Sequence, residues 1–427
     1  MNYQETTEYL FNSTPVFEKV GASAYKPGLQ TTLALDAHFG SPHKQFKTIH
    51  IAGTNGKGSC SHTLAAILQA EGYKVGLYTS PHLVDFKERI RINGKCISEQ
   101  YVINFVEKER SFFEPLHPSF FELTTALAFK YFAEQNVDIA VIEVGLGGRL
   151  DCTNIISPVL SIITNISKDH TQFLGNTLAE IAGEKAGIIK HNTPVIIGED
   201  TTETRPVFEA KAKDAKAPIC FAQDKEQQEV ISTSHTTDGI VYQTKQWGTL
   251  KGELKGDYQI KNTNTILNAV DKLVTMDIIK HKVSIQKGIG NVCQATGLMG
   301  RWQKIEEHPL VICDTGHNVG GWQFIAPQLK AQKCKQRRII FGMVDDKDVE
   351  TVMKMLPTDA IYYWAQASTK RAINVEKIAE TGLKNSLIGT SYLSVKEAFN
   401  RAKEESEEDD FIFVGGSSYI VADFLSK

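Results

Sequence analysis

A glycine-rich motif with one lysine, GTNGKGS at residues 53–59, has the composition of a phosphate-binding loop. Glycines let the backbone curl so that successive N–H groups point at an anion, and the N-terminus of a following helix adds a positive dipole. The β-rich run before the motif and the helical pattern after it predict that Lys57 reaches the terminal phosphates of a nucleotide. The spacing departs from the Walker pattern, because Gly58 separates Gly56-Lys57 from the serine. The alternative is a glycine-rich turn with a surface lysine.

Polar residues also stand at the carboxyl ends of three other predicted strands. They are Ser80 in TSPH, Glu143 in EVGLGG, and the run NISKDH that ends at His170. Such strand ends form one crevice in an open parallel sheet, and ligands bind there. Magnesium beside phosphates needs one or two carboxylates, so Glu143 is the first candidate ligand, with His170 and Ser80 as further ones. Each has a structural alternative: Glu143 could form an ion pair inside the sheet, His170 could be an ordinary loop histidine, and Ser80 could belong to a common turn.

The elements that must position these residues alternate between strand and helix. Polar, Thr- and Gln-rich alternation over residues 215–257 predicts short antiparallel strands, and residues 288–309 are the candidate linker. A second alternating stretch follows from residue 310. We therefore predict an α/β protein in which a mostly parallel sheet domain contains the phosphate loop and a small antiparallel β insertion. A second, smaller Rossmann-like α/β domain completes the chain.

Composition and charge exclude several classes of protein. The 427 residues include 47 Lys plus Arg and 50 Asp plus Glu, a formal net charge of −3, so no basic footprint for nucleic acid is present. No window has the apolar length of a membrane span, and the N-terminal residues do not resemble a secretory signal peptide. Seven scattered cysteines without a Cys-x-x-Cys pair are typical of reduced thiols. We expect a cytoplasmic protein with neither nucleic-acid nor membrane partners.

Taken together, the motifs resemble a known family. GTNGKGS, TSPH, EVGLGGRLDCTN, ITNISKDH and GEKAGIIK, in this order, are similar to the folylpolyglutamate synthase/dihydrofolate synthase family of the Mur ligase superfamily. MGRW, DTGHN, FGMVDDKD and GGSSY continue the resemblance, which spans essentially the whole chain. It implies an ATP-binding central domain over residues 1–296 and a C-terminal glutamate-ligase domain over residues 297–427.

The implied activity is ATP-dependent amide ligation. ATP phosphorylates a carboxylate of dihydropteroate or a folate, and the amine of L-glutamate displaces phosphate from the acyl phosphate. ATP and Mg²⁺ are the implied cofactors, the partners are these small-molecule substrates, and the family leans towards a monomer. A carboxylate is a poor electrophile, so phosphorylation supplies the missing leaving group.

The resemblance also implies roles for individual residues. Those that hold the ATP phosphates are Asn55, Gly56, Lys57, Gly58 and Ser59. Further nucleotide contacts fall on Asn262, Arg301 and Asp314. The magnesium ligands are Ser80, Glu143 and His170. The catalytic positions are Lys185, which the family carries as an N-carboxylated side chain, and His317. Substrate contacts fall on Glu122, Leu150, Asp151, Cys152 and Ser417, the last of which, with His317, lies near the incoming glutamate.

Lys185 taken by itself suggests a simpler interpretation, because a helical lysine is normally solvated or paired with an acid such as Glu184. Two other places depart from the family pattern. Tyr258-Gln259 stands where the family has His-Gln, so Asn264 is an alternative to Asn262 as the nucleotide contact. The motif DTGHN at residues 314–318 replaces Asp-Gly-Ala-His-Asn, which changes the loop between its retained ends.

Three other functions compete with this hypothesis. A related Mur-type ligase would join a different acid and amino acid, such as a cell-wall precursor. A nucleotide-binding switch or phosphotransferase would use the phosphate loop alone, although an Asn-Lys-x-Asp guanine signature is absent from the sequence. A degenerate binding protein would not be expected to keep Lys57, Glu143 and His170 together. The sequence leaves open whether dihydropteroate, folates or both are extended.

Overall fold

The computed structural model describes residues 1–13, 28–345 and 347–426. The chain forms two compact units. One consists of Met1–Glu253 with Gln259–Leu298, and the other of Leu254–Tyr258 with Met299–Lys427. In the described part of the chain, every helix is too short or too polar to cross a membrane.

The larger unit is built on one sheet of eight strands. Its strands are β1 Lys47–Ala52, β2 Val75–Tyr78, β3 Ile90–Ile92, β4 Lys95–Cys96, β5 Ile139–Glu143, β6 Leu160–Ile163, β7 Val195–Ile197 and β8 Ile219–Phe221. They lie in the order β4-β3-β2-β5-β1-β6-β7-β8. The six strands from β2 to β8 in that order are parallel, while β3 and β4 pair antiparallel at one edge. The central strands are apolar and buried because helices cover both faces of the sheet.

Helices connect these strands. Within the described residues of the larger unit they span Tyr3–Ser13, Gln30–His38, Lys57–Glu71, Glu99–Phe113, Phe120–Glu134, Thr171–Leu174, Leu178–Ala186, Arg205–Asp214, Gln259–Thr275, Lys282–Ile289 and Val292–Thr296. Capping boxes start two of them, with Ser119 and Thr177 at the N-cap positions. Each cap satisfies backbone N–H groups that the first helical turn leaves without partners.

The predicted antiparallel insertion is confirmed for residues 230–252 as a small separate sheet, whereas β8, which lies in the same predicted stretch, joins the large sheet parallel to β7. Its strands are β9 Val230–His235, β10 Ile240–Thr244 and β11 Thr249–Gly252, in the order β11-β10-β9. Tyr242 and Leu250 are buried against the helices Gln259–Thr275 and Lys282–Ile289 in the core of the larger unit. Alternate residues of β10 face the core, which explains the polar alternation seen in the sequence.

The smaller unit contains a six-stranded sheet. The strands are β12 Gln303–Glu307, β13 Leu310–Asp314, β14 Arg337–Phe341, β15 Ala360–Ala365, β16 Gly389–Tyr392 and β17 Phe411–Gly415, in the order β12-β13-β17-β14-β15-β16. All pairs are parallel except β12 with β13. Its helices span Val319–Ala331, Val349–Met355, Val375–Lys384, Val395–Glu404 and Ser418–Leu425. The predicted Rossmann-like α/β domain is therefore confirmed in class.

The candidate linker, residues 288–309, contains the point at which the chain passes from one unit to the other, between Leu298 and Met299. The segment nevertheless has regular structure: the end of one helix, the helix Val292–Thr296 and the edge strand β12. One of its glycines ends a helix, since Gly297 has φ +70° and closes the helix that precedes it.

Candidate active site

The phosphate loop is held by the loop that follows β6. The Asn55 N–H donates to Asn165 Oδ1 (3.0 Å), and Thr164 Oγ1 donates to the Asn55 carbonyl oxygen (2.6 Å). Thr54 Oγ1 donates to the Ser167 carbonyl oxygen (3.1 Å) and accepts from the Ser167 N–H (3.0 Å). The two motifs GTNGKGS and NISKDH thus form one structural unit, although more than a hundred residues separate them.

The start of the helix Lys57–Glu71 is built to receive an anion. Gly56 is its N-cap, and within the described residues no side chain caps its first N–H groups. Uncapped N–H groups at a helix start attract negative charge. Lys57 Nζ donates to the carbonyl oxygens of Gly53 and Thr54, both at 3.1 Å, so the ammonium lies over the loop itself. Gly58 follows in the first turn of the helix.

Asn262 lies directly against this loop. Gly56 has φ +83°, and a Cβ added there would lie 2.4 Å from Asn262 Oδ1. Asn262 Nδ2 donates to Gln259 Oε1 (2.9 Å), and Gln259 Nε2 donates to Ser59 Oγ (3.0 Å). The Ser59 hydroxyl is therefore engaged and buried, while Asn262 approaches the loop backbone as closely as a glycine permits.

The alternative residue Asn264 faces elsewhere. Its Oδ1 accepts from the N–H groups of Glu229 (2.8 Å) and Val230 (3.1 Å), and its Nδ2 donates to the Ala222 carbonyl oxygen (2.6 Å). These bonds tie the helix Gln259–Thr275 to the start of β9. Of the two asparagines, the structure brings only Asn262 to the phosphate loop.

The three candidate metal ligands follow strands that lie next to the phosphate loop in the sheet. Glu143 ends β5 and pairs in register with Ile51 of β1. His170 follows β6 on the other side of β1, and Ser80 follows β2, the neighbour of β5. Glu143 is only 4 % exposed, and its charge contributes to the raised pKa of the buried Cys60 thiol. The sheet order thus places the four polar strand ends side by side.

Lys185 is buried, so the simpler expectation of a solvated lysine is not met. Its side chain is 4 % exposed, and Glu184 instead pairs with Arg149, at 2.8 Å from Arg149 Nη2 to Glu184 Oε1. Burial lowers the pKa of Lys185 to about 7, and the charge of Lys57 lowers it further in the same direction, against Asp169 and Asp151. A lysine with this pKa is partly neutral near physiological pH and is nucleophilic.

The loop after Glu143 is shaped by Asp151. Its Oδ2 accepts from the Leu146 N–H (2.8 Å), and its Oδ1 accepts from Thr153 N (3.0 Å) and Thr153 Oγ1 (2.5 Å). Burial raises the pKa of Asp151, while these hydrogen bonds oppose the shift. A Cβ on Gly148 would lie 2.8 Å from the Glu184 carbonyl oxygen, so the loop packs directly on the helix that carries Lys185.

The other predicted substrate residues surround the same loop. Leu150 and Cys152 flank Asp151, and burial raises the pKa of the Cys152 thiol well above its ordinary value. The charge of Glu122 adds to that shift. The Glu122 carboxylate accepts from Ser119 N (2.7 Å) and Ser119 Oγ (2.9 Å) as part of a capping box. Its observed hydrogen bonds are therefore structural ones.

In the smaller unit, Asp314 is the centre of a buried hydrogen-bond cluster. Its Oδ2 accepts from Tyr258 Oη (2.6 Å) and from Trp302 N (2.7 Å), and its Oδ1 accepts from Gly316 N (2.8 Å). Burial raises the pKa of Asp314 against these donors. Tyr258 occupies the position of the family histidine and serves as the donor to this carboxylate.

The remaining predicted residues lie along the carboxyl ends of β13 and β17, which are neighbouring parallel strands. Arg301 Nη1 donates to Thr315 Oγ1, and Thr315 also bonds Gly300, so the threonine that distinguishes the DTGHN motif anchors this arginine. His317 Nδ1 lies 3.1 Å from the Thr315 carbonyl oxygen. Ser417 is buried and caps the helix Ser418–Leu425 by accepting from Ile420 N at 3.2 Å. Asp346 of the motif FGMVDDKD lies outside the described residues.

Sequence reasoning assigned no role to several residues that shape the site. Asn165 and Ser167 fix the phosphate loop, Gln259 joins Ser59 to Asn262, and Tyr258 supports Asp314. The first two lie in a motif already singled out, and the other two lie in the segment that departs from the family pattern. Those departures from the family pattern were the sequence signal that could have pointed to Tyr258 and Gln259.

Comparison with known proteins agrees with the observed fold. The family described as Mur ligase middle domain matches residues 51–270, and the family described as Mur ligase, glutamate ligase domain matches residues 300–418. The chain is 32% identical over 428 residues to a dihydrofolate synthase/folylpolyglutamate synthase of Bacillus subtilis, covering 94% of this chain and 95% of that protein.

Two solved structures show the same similarity in three dimensions. Escherichia coli FolC in complex with DHPP and ADP has a TM-score of 0.84 and 30% identity, covering 100% of this chain and 97% of the other. A bifunctional folylpolyglutamate synthase/dihydrofolate synthase from Yersinia pestis, complexed with AMPPNP and Mn ion, has a TM-score of 0.80 and 27% identity, covering 100% and 97%.

Proposed function

Because this chain belongs to the dihydrofolate synthase/folylpolyglutamate synthase family of Mur ligases, we propose that its site performs the ADP-forming ligation of that family. The protein is an ATP-dependent amide ligase that adds L-glutamate to dihydropteroate, to folates or to both. One observation carries the assignment of the site: the sheet order sets the phosphate loop on β1 between Glu143 of β5 and the His170 loop of β6.

The reaction needs two transfers at one carboxylate. The acid oxygen first attacks the γ-phosphorus of ATP, which forms the acyl phosphate and releases ADP. The neutral amine of L-glutamate then attacks the acyl carbon, the C–O bond to phosphate breaks, and the amine loses a proton as the amide forms. Both acid and nucleotide are anionic, so the site must first supply positive charge and N–H donors.

The phosphate loop would meet that requirement. In this proposal the phosphates replace the carbonyl oxygens as partners of Lys57 Nζ, and the N–H groups of Gly56, Gly58 and Ser59 face them. Asn55, whose N–H is bonded to Asn165, completes the set of phosphate-binding residues. Asn262, which touches the loop at Gly56, would contact the nucleotide.

The donor set around the loop fits a magnesium ion. Glu143 supplies a buried carboxylate, with Ser80 and His170 on the adjacent strand ends. In the described ranges no group of three or more His, Cys, Asp or Glu side chains forms a metal cage. Magnesium is held by one or two carboxylates together with phosphate oxygens, so this sparse set suits it. When bound, the ion supplies charge that neutralises the phosphates.

We assign Lys185 the role of an N-carboxylated residue. Its burial and lowered pKa leave a neutral amine that can attack carbon dioxide, and the carbamate product is an anion. A carbamate on Lys185 would also exchange a buried cation for an anion close to Lys57. The burial of the side chain therefore supports the modification that the resemblance implied.

The acid substrate is assigned to the loop after Glu143. Leu150, Asp151 and Cys152, with Glu122 beside Cys152, would face its pterin ring. The Asp151 carboxylate also fixes the shape of this loop through Leu146.

The resemblance assigns roles to four residues of the smaller unit. We propose that Arg301 and Asp314 contact the nucleotide and that His317 and Ser417 lie near L-glutamate, His317 receiving the proton that the amine loses. In this proposal residues 1–296 form the ATP-binding central domain and residues 297–427 the glutamate-ligase domain. We further propose that the enzyme works as a cytoplasmic monomer without nucleic-acid or membrane partners.

One assay tests the function and its acid specificity. ADP formation is measured with dihydropteroate and with tetrahydrofolate separately, each with and without L-glutamate. We expect glutamate-dependent ADP release with at least one acid. ADP release at the same rate with and without L-glutamate would refute ligation. ADP release only when a UDP-muramyl acid is supplied would favour the cell-wall branch of the superfamily.

A further inference from the structure

A buried histidine on the strand that enters the phosphate loop has no part in the reaction described above. His50 belongs to β1, and its side chain is fully buried. Its Nε2 lies 2.8 Å from Thr153 Oγ1. Burial, with the charge of Lys190, lowers the pKa of His50 to about 3, so the imidazole is neutral at any working pH. A neutral imidazole has one N–H to donate and one nitrogen that accepts.

The direction of the hydrogen bonds follows from counting protons. A threonine hydroxyl has a single proton, and that of Thr153 is donated to Asp151 Oδ1 at 2.5 Å. Thr153 Oγ1 must therefore accept from His50, which places the imidazole proton on Nε2. The other nitrogen, Nδ1, makes no hydrogen bond within the described parts of the chain. The bonds thus run in one direction, from His50 to Thr153 and on to Asp151.

This series of bonds ends on the loop between Glu143 and Cys152. Asp151 Oδ2 accepts from Leu146 N, and Val144 N donates to the Ile51 carbonyl oxygen at 2.9 Å. Both ends of the loop are consequently tied to β1, one through the backbone and the other through His50. Since β1 also leads into the phosphate loop, the same strand fixes the positions of the phosphate loop and of the loop after Glu143.

We propose that His50 is a positioning residue for ligation. Through Thr153 and Asp151 it holds in place the loop formed by residues 144–152. The loop connects Glu143 to Cys152 and packs on the helix of Lys185. A displaced loop would lose contacts to the bound acid substrate, and the loss of such contacts raises its KM. The inference rests on the proposed function, because that function assigns the loop to the acid substrate.

The test compares variants that break or keep the bonds. His50→Leu removes the donor and Thr153→Val removes the hydroxyl, while Thr153→Ser keeps it. Thr48→Val is the matched control: Thr48 lies two residues before His50 on the same side of β1, is buried, and its hydroxyl makes no hydrogen bond within the described residues.

We expect His50→Leu and Thr153→Val each to reduce kcat/KM for the acid substrate by about 10- to 100-fold, mainly through its KM. The KM for ATP should stay within about twofold, since Lys57 and the helix start are untouched. Thr153→Ser and Thr48→Val should resemble the unmodified enzyme. Because His50 and Thr153 act in series, the double variant should lose no more than either single one.

Hydrogen exchange supplies a readout that needs no turnover. The amides of residues 144–154 should exchange faster in His50→Leu and Thr153→Val than in Thr48→Val, with other segments unchanged. If both variants lower only the unfolding temperature, while KM and exchange stay at control values, the positioning role is refuted. If His50→Leu does not fold, the comparison of Thr153→Val with Thr153→Ser tests the positioning role instead. Absence of ligation by the unmodified enzyme would instead refute the proposed function, and exchange would still test the bonds.

Discussion

Replacing Gly56 by alanine probes the contact between the phosphate loop and Asn262. Gly56 has φ +83°, which costs an alanine roughly 1–2 kcal/mol of folding free energy. The new Cβ would also lie 2.4 Å from Asn262 Oδ1, so the asparagine must move and its 2.9 Å hydrogen bond to Gln259 is strained. That bond contributes about 1 kcal/mol net, and a buried amide left without a partner costs about 1–3 kcal/mol.

The effect on ATP can be separated from the effect on folding with a matched variant. Gly40 has φ +75°, and a Cβ there meets no atom within 4 Å, so Gly40→Ala carries similar backbone strain without a collision. Gly40→Ala should lose about 1–2 kcal/mol of unfolding free energy in denaturant titrations, and Gly56→Ala should lose about 1–3 kcal/mol more because Asn262 is displaced. Only Gly56→Ala should also weaken ATP binding, by about tenfold or more, which corresponds to about 1.4 kcal/mol.

Isothermal titration with a non-hydrolysable ATP analogue and Mg²⁺ measures this difference directly. A Gly56→Ala protein whose dissociation constant equals that of the unmodified protein would show that Asn262 and the loop backbone do not act together on the nucleotide. Equal weakening in both variants would attribute the loss to general destabilisation. Either result would refute the assignment of Asn262 to the nucleotide site.

Three further perturbations address the other charged groups. Lys57→Ala should reduce ligation on the order of 100-fold with an unchanged unfolding temperature, because among the described residues its ammonium bonds only its own loop; near-normal turnover would contradict a phosphate role. Glu143→Gln should raise the Mg²⁺ concentration for half-maximal rate by about tenfold or more, and an unaltered magnesium titration would speak against ligation of the metal. Lys185 has a pKa of about 7, so the neutral amine that reacts with carbon dioxide predominates above that pH and disappears below it. Bicarbonate should therefore restore activity to CO₂-depleted enzyme at about pH 8 and fail at about pH 6, whereas Lys185→Arg should never respond; restoration independent of pH would refute a carbamate.

Local signals were sufficient for most of the fold. A buried parallel strand must be apolar, and a phosphate loop must have glycines where its backbone turns, so β1, β5 and β6 and the loop at residues 53–59 could be located from residue types alone. The same signals left a helix and an edge strand within residues 288–309 unpredicted. Glycines mark helix ends as well as linkers, and the edge strand β12 is half exposed with a polar pattern.

The sequence by itself determined which chemistry is present: a phosphate loop, an acid at a strand end, a lysine and an order of motifs specific to one family. Only the tertiary structure decided how these groups behave. Burial lowers the pKa of Lys185, and packing against Gly56 selects Asn262 over Asn264. Burial and hydrogen bonding depend on residues a hundred or more positions away, such as His50 with Thr153, and sequence patterns record only near neighbours.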